Sequence, residues 1–169
     1  GTGALTFSAG ASTGCSVNAT TGVISVTNAS HTCDISASKA GDDNYLGPVS
    51  DGPKSVTLLK APQAALTLTV PASITYGTTG TATTSGGSGA GAVTFSAGGT
   101  GGCSVNTSTG EISVVNASHT CDITASKAGD DNYLGPVSDG PKSVTLVKAN
   151  QSAVTVTGPS SVTYLTTGT

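Results

Sequence analysis

The sequence lacks arginine, methionine and tryptophan, and only 9% of its 169 residues are charged. Six lysines against nine acidic residues leave a net charge of −3. Nucleic acids and anionic membranes are bound by clusters of basic side chains, which this composition does not supply. No apolar run approaches the roughly 18 residues of a membrane span. We therefore expect no nucleic-acid partner and no membrane insertion of this segment.

Aromatic residues are also scarce, at 4%, which predicts a thin hydrophobic core. Long windows with apolar residues at helical spacing are missing, and the abundant Thr, Ser and Val are poor helix formers. Short runs of alternating apolar and polar residues, bounded by Gly, Pro, Asn and Asp, occur throughout the chain instead. This pattern predicts an all-β protein.

The residue types of a catalytic site are few. Such a site needs a nucleophile with a base, a carboxylate pair in a cleft, or a cofactor-binding loop. The chain has a single glutamate, and its two histidines, His31 and His119, occupy equivalent positions instead of converging. We therefore expect no enzymatic activity and no cofactor.

A tandem repeat organises the residues that are present. Asn28 to Leu58 returns as Asn116 to Leu146, with Ser36 replaced by Thr124 as the single difference, and every matched pair lies 88 positions apart. A period of this length is that of one small domain. The sequence opens within a repeat, so we expect any targeting signal to lie outside this segment.

The four cysteines form two equivalent pairs, each 18 positions apart. A zinc site would require four clustered ligands, usually in CxxC-type pairs, and the sequence has no such pairs. One disulfide per repeat therefore follows, and it indicates an oxidising, extracytoplasmic location. The predicted pairs are Cys15 with Cys33 and Cys103 with Cys121.

Alternation and turn residues define the strands of a repeat. In the first copy, Cys15 to Asn18 and Ile24 to Thr27 flank the turn Ala19 to Gly22 and predict a hairpin, with Cys33 to Ala37 as a third strand. Gly47-Pro48 and Asp51-Gly52-Pro53 are predicted turns that lead into a strand from Lys54 to Lys60. The complete repeat has seven predicted strands, Ala65 to Val70, Ser73 to Thr84, Ala92 to Ala97, Cys103 to Asn106, Glu111 to Val115, Thr120 to Lys127 and Lys142 to Lys148.

Seven short strands in under about 100 residues predict an immunoglobulin-like Greek-key sandwich. The natural boundary falls near Pro62, where consecutive strands meet without a Gly-rich or Ser-rich linker. Residues 62–149 are then one complete repeat. Residues 1–61 are the later part of another repeat, without its first two strands, and residues 150–169 are the first two strands of a third.

The repeats resemble a known family. The segments Ala40 to Tyr45 and Ala128 to Tyr133 both read A-G-D-D-N-Y, and a strand start from Ser73 to Thr79 accompanies them. These features are similar to the A-G-D-x-N-Y repeats of bacterial Ig-like tandem-repeat domains in large surface proteins and adhesins. The resemblance implies a non-catalytic stalk at the cell surface, with binding functions elsewhere in the parent chain.

Two groups of polar residues have alternative interpretations. The Asp and Asn side chains around the A-G-D-D-N-Y segments supply oxygen atoms for a weak calcium site, or they bond their own backbone in a turn. Tyr45 and Tyr133 are either ligand-stacking or, as we expect, structural residues that pack the ring and bond the hydroxyl to nearby backbone. The calcium candidates are Asp42, Asp43, Asp130 and Asp131, with Asn44, Asp51, Asn132 and Asp139 as further oxygen donors.

These features predict a rigid extracellular rod or fibre whose partners are neighbouring copies of the same repeat. Two arrangements remain open: a continuous long array, or separate subunits joined head to tail because residues 150–169 of one copy complete residues 1–61 of the next. An alternative function is an adhesive module that binds carbohydrate or a host protein. It would use the Gly/Ser-rich loops Ser85 to Gly91 and Gly98 to Gly102, which lack the aromatic and arginine anchors of binding hot spots.

Overall fold

The structure, a computed structural model, describes residues 1–165 and residue 167. These residues form an all-β protein without helices, so no described segment is a long apolar helix of the kind that crosses a membrane. In chain order the strands are β1 (Leu5–Ser8), β2 (Cys15–Val17), β3 (Ile24–Val26), β4 (Asp34–Lys39), β5 (Val49–Ser55), β6 (Leu66–Thr69), β7 (Ser73–Thr75), β8 (Thr79–Thr81), β9 (Thr83–Gly86), β10 (Val93–Ala97), β11 (Cys103–Val105), β12 (Glu111–Val114), β13 (Asp122–Lys127), β14 (Val137–Ser143) and β15 (Thr145–Val147).

The strand pattern repeats with the sequence. The antiparallel sheet β1-β4-β5 has its counterpart in β10-β13-β14, and the hairpin β2–β3 has its counterpart in β11–β12. Registers match as well, since Phe7 lies opposite Ala37 and Phe95 lies opposite Ala125. The 88-residue period is therefore a structural period for these five strands.

The strands after the A-G-D-D-N-Y segments differ from the prediction. β5 and β14 run through the Asp-Gly-Pro segments that the sequence indicated as turns, and both are edge strands. The register shifts between Ile123 and Ala125, opposite Gly140-Pro141. A proline cannot donate a ladder hydrogen bond, so it is accommodated at such an irregularity on a sheet edge.

The predicted strand from Ser73 to Thr84 is divided into three. β7 pairs in parallel with β15, β8 pairs with β12, and β9 pairs with β6. The first break follows from Gly77, whose φ of +87° suits glycine, and from a turn in which the Thr78 amide donates to the Thr75 carbonyl at 3.0 Å. The predicted strand Lys142 to Lys148 is also divided, between the end of β14 and β15.

The hydrophobic core lies in residues 66–144. Leu68 of β6, Ile112 of β12 and Ile123 of β13 are fully buried, and Phe95 and Val144 pack in the same cluster. Because these residues come from several sheets that face one another, the arrangement is consistent with a sandwich.

Two disulfides join Cys15 to Cys33 and Cys103 to Cys121, the pairs that the sequence predicts. All four cysteines are buried. Each bridge ties the first strand of a hairpin to the start of β4 or β13. Disulfides of this kind are consistent with an extracellular or otherwise oxidising environment.

Residues 150–165 carry no strand in the structure. The sequence predicts two strands between residues 150 and 169, and residues 166, 168 and 169 of that range lie outside the described residues.

Candidate interface between repeats

The segment that follows β13 contacts the preceding repeat through its backbone. Ala61 forms a parallel bridge with Tyr133. The Ala61 amide donates to the Asn132 carbonyl at 2.9 Å, and the Leu134 amide donates to the Ala61 carbonyl at 2.8 Å. The boundary between repeats, which has no linker, is therefore held on both sides of Ala61.

A second contact joins this segment to the turn after β3. Asn28 Nδ2 donates to Asp131 Oδ2 at 3.1 Å, and the Ala29 amide donates to Asn132 Oδ1 at 2.8 Å. The Ser30 hydroxyl donates to the Asp131 carbonyl at 3.1 Å. Residues about 100 positions apart thus form a continuous polar interface between the two repeats.

Lysine adds a charged donor to the same interface. Lys60 Nζ donates to the Asp130 carbonyl at 2.7 Å, and Gln63 Nε2 donates to the Ala128 carbonyl at 2.7 Å. Lys60 and Gln63 flank Ala61 in sequence, so the whole boundary segment is bonded to the A-G-D-D-N-Y segment of the following repeat.

Local turns orient the interface residues. Asn28 Oδ1 accepts the Ser30 amide at 2.9 Å, so its Nδ2 remains for the partner repeat. Asp130 Oδ1 accepts the amides of Asn132 and Tyr133, both at 2.9 Å, and its Oδ2 accepts the Ala90 amide at 2.6 Å. These amides, the Asn132 amide above all, hold the pKa of Asp130 below its ordinary value of 3.8.

The A-G-D-D-N-Y segment of the first repeat forms the same turn. Asp42 Oδ1 accepts the amides of Asn44 and Tyr45 at 3.0 and 2.9 Å, and its Oδ2 accepts the Thr2 amide. These bonds, led by that from Asn44, lower the pKa of Asp42. Its neighbour Asp43 is exposed.

Three of the four calcium candidates therefore have turn or interface partners. Asp42 and Asp130 bind backbone amides, and Asp131 binds Asn28. Among residues 1–165 and 167, no three His, Cys, Asp or Glu side chains lie close enough together to hold a metal ion.

The two tyrosines have different surroundings. Tyr133 is partly buried and lines a groove at the interface with Val26, Ala29 and Leu59 of the first repeat. Tyr45 is 63% exposed. Packing of the Tyr133 ring thus involves the neighbouring repeat. The sequence of a single repeat does not indicate this contact.

A matching surface lies at the other end of residues 62–149. Asn116, Ala117, Lys148 and Ala149 are the equivalents of Asn28, Ala29, Lys60 and Ala61, and with Tyr76 they line an open groove. Each repeat therefore carries both halves of the interface, the Asn-Ala-Ser turn at one end and the A-G-D-D-N-Y segment at the other. The sequence contains one signal of this interface. Both halves lie within the nearly identical segments Asn28 to Leu58 and Asn116 to Leu146.

In the second repeat, two charged side chains of β14, Asp139 and Lys142, bind the backbone of β6. The Leu68 amide donates to Asp139 Oδ2, and Lys142 Nζ donates to the Leu68 carbonyl, each at 2.6 Å. The bond from Leu68 is the main cause of a lowered pKa of Asp139. In the first repeat, Asp51 and Lys54 form an ion pair at 2.9 Å, and their side chains are about three-quarters exposed.

The loops proposed for adhesion are bonded to their surroundings. In the loop Ser85 to Gly91, the Ser88 hydroxyl accepts the Ala64 amide at 3.1 Å and the Ala90 amide donates to Asp130. In the loop Gly98 to Gly102, the Gly98 amide donates to the Asp122 carbonyl at 2.8 Å. Neither set of contacts identifies a ligand.

Comparison with known proteins adds no relative. No protein-family model matches the chain, and no curated protein matches it significantly.

Proposed function

We propose that this chain is a structural, non-catalytic segment of a prokaryotic cell-surface protein, in which immunoglobulin-like repeats form a rigid extracellular stalk or fibre. The interface around Ala61 is the observation that carries the proposal. A flexible connection between domains has few contacts across it, whereas here the boundary and the Asn28 turn bind one segment of the next repeat.

Two further observations support the extracellular setting. The buried disulfides suit an oxidising environment. The second A-G-D-D-N-Y segment, Ala128 to Tyr133, resembles those of bacterial surface repeats and lies in the interface itself. A role in joining repeats explains why such a segment accompanies each repeat.

The proposal is tested by the rigidity of the interface. Spin labels at Thr20→Cys and Ser108→Cys, exposed and equivalent positions of the two repeats, report the inter-repeat distance by pulsed electron paramagnetic resonance in dilute monomer. We expect a narrow distance distribution. Asn132→Ala removes the acceptor of the Ala29 amide and should broaden it.

Asn44→Ala is the matched control, because Asn44 occupies the same position in the first repeat and lies away from the interface. It should leave the distribution narrow. A broad distribution in the unmodified chain would refute a rigid connection.

A further inference from the structure

Asn-x-Ser/Thr triplets occur at two repeated places in the chain. Asn18 to Thr20 and Asn106 to Ser108 lie in the turns of the equivalent hairpins β2–β3 and β11–β12, and Asn28 to Ser30 and Asn116 to Ser118 lie in the turns that follow these hairpins. A triplet of this kind without a central proline is the acceptor sequence for N-linked glycans in secreted proteins. A fifth triplet, Asn150 to Ser152, is not repeated, since a proline stands 88 positions earlier.

The hairpin turn fixes the orientation of its asparagine side chain. Asn106 Oδ1 accepts the amides of Ser108 and Thr109, both at 3.0 Å. Asn18 Oδ1 accepts the two equivalent amides at 3.0 and 2.9 Å. Only the oxygen of a carboxamide accepts hydrogen bonds, so Oδ1 lies over the turn and Nδ2 points away from these amides. Among residues 1–165 and 167, neither of these Nδ2 atoms has a hydrogen-bond partner.

The turn itself accounts for its asparagine and glycine but not for the third residue of the triplet. Asn and Gly are usual turn residues, and Gly110 has a φ of +74°. The Thr109 hydroxyl accepts the Glu111 amide at 3.4 Å. By contrast, Thr20 and Ser108 are exposed, and their hydroxyls form no hydrogen bond within the described part of the chain. The second and third residues of the triplet differ between the copies, yet the third keeps its hydroxyl, which indicates a chemical role.

The hairpin turn stays exposed in both settings that the two copies provide. Asn106 is exposed although β6 to β9 and the preceding repeat are in place, and Asn18 is exposed although the following repeat is in place. The turn is therefore covered neither by the strands of its own repeat nor by a neighbour on either side. Its exposure is a property of the repeat at any position in an array.

The triplet after the hairpin lies instead in the interface between the repeats. Asn28 is partly buried, and its Nδ2 donates to Asp131 Oδ2 at 3.1 Å. The other two residues of the triplet bind Asn132 Oδ1 and the Asp131 carbonyl. A sugar on Asn28 would have to lie between the two repeats, where Nδ2 already has a partner. The same motif thus occurs once in an accessible form and once in a form that the interface protects.

We propose that Asn18 and Asn106 carry N-linked glycans, one for each repeat, and that Asn28 remains unmodified. In the transfer, a bond forms between Nδ2 and the anomeric carbon of the sugar, and the bond from that carbon to a diphosphate breaks. The diphosphate leaves with the bonding electron pair, and Nδ2 loses one proton to a base of the glycosyltransferase. The donor is a glycosyl diphosphate whose carrier is a lipid or a nucleotide.

A glycan at this turn adds hydration to a surface with few charges. Only 9% of the residues are charged, and an attached glycan is bulky and solubilising. The inference goes beyond the proposed function, because a stalk without glycans keeps the same interface between its repeats.

Site-resolved mass spectrometry of the protein from its native cell surface tests the proposal. Asn18 and Asn106 should carry glycans, and Asn28 should not. Ser108→Ala keeps the backbone amide that bonds Asn106, so the turn persists, but it removes the hydroxyl and should abolish the glycan at Asn106. Ser108→Thr, which copies the threonine of the first repeat, is the matched control and should retain this glycan. The glycan at Asn18 should be unchanged in both variants.

A transfer assay with the unmodified 169-residue chain identifies the carrier. Incorporation of sugar with the membrane fraction of the same cells alone supports a lipid-linked donor. Incorporation that requires an added nucleotide sugar supports a nucleotide-linked donor. Incorporation under neither condition would count against the proposal.

Three results from the native protein would overturn the inference: no glycan at Asn18 and Asn106, equal occupancy of Asn28, or an unchanged glycan at Asn106 in Ser108→Ala. The spin-label variants Thr20→Cys and Ser108→Cys lack both hydroxyls, so they test the rigid stalk separately from the glycans. A narrow spin-label distribution together with an unmodified native protein would refute glycosylation alone.

Discussion

At the scale of single residues, two aspartates connect distant backbone segments. Asp130 accepts the Ala90 amide, and Asp139 accepts the Leu68 amide 71 positions away. Both carboxylates must be ionised to accept these bonds at full strength, which is why both have lowered pKa values. The second repeat therefore depends on charge that is lost in acid.

We predict an acid-sensitive stability of residues 62–149. Because the folded pKa values of Asp130 and Asp139 lie below the unfolded value of 3.8, their contribution is complete above that value and is lost as the pH falls through the folded values. Below about pH 4, the midpoint temperature of thermal unfolding should therefore decrease. Asp139→Asn should flatten this dependence, and an unchanged slope in that variant would contradict the role of the Leu68 bond.

Gly89 leads to a second prediction. Its φ is +69°, and a Cβ there would lie 1.9 Å from Asp130 Oδ2 and 2.7 Å from Tyr133 Cδ2. Gly89→Ala should therefore reduce the free energy of unfolding by more than about 1 kcal/mol. Gly99→Ala, where a Cβ meets nothing within 4 Å, is the control and should change it by under about 0.5 kcal/mol; equal effects in urea unfolding would refute the steric explanation.

At the scale of elements, the disulfides compensate for a small core. Each closes a loop with a sequence separation of 18, which contributes about 3 kcal/mol in the chain-entropy description. Cys103→Ser with Cys121→Ser should reduce the free energy of unfolding of residues 62–149 by about that amount. Urea titration measures this loss of free energy, and reduction of the parent chain should give the same loss over residues 62–149. A loss of under about 1 kcal/mol would contradict the loop-closure account.

Local patterns in the sequence predicted local elements well. The hairpin β2–β3 and the disulfide pairs follow from alternation and spacing within about 20 residues. The course of β14 through Gly140-Pro141 could not be predicted in this way, because the irregularity that accommodates the proline arises only where β14 pairs with β13. The three-way division of Ser73 to Thr84 likewise depends on which partner each part finds.

The interface was beyond local patterns for the same reason. Asn132 and Ala29 are 103 positions apart, and nothing in either segment alone specifies the other. An Asp/Asn-rich turn was consistent with calcium or with turn structure, and the distinction required the positions of the amides around Asp130. The near-identity of the two copies showed which segment recurs without indicating its partner.

At the scale of the whole molecule, the packed strand β6 and residues 153–157 should differ in amide protection. Val154 and Val156 are exposed, so the amides of residues 153–157 should exchange rapidly with deuterated solvent. Leu66 and Leu68 of β6 are buried, so the amides of β6 should exchange at least about tenfold more slowly. Equal exchange rates in the two segments would contradict the packing of β6.

The parallel pairing of β7 with β15 determines how a repeat responds to mechanical load. The Tyr76 amide donates to the Val147 carbonyl at 2.8 Å, and the Thr145 amide donates to the Ala72 carbonyl at 3.1 Å. Tension that reaches β7 from its N-terminal side and β15 from its C-terminal side pulls these parallel strands in opposite directions along their length. The bonds between them are then loaded together in shear instead of being peeled apart one at a time. A stalk built from such repeats would resist extension at this parallel pair of strands once the load has passed β6.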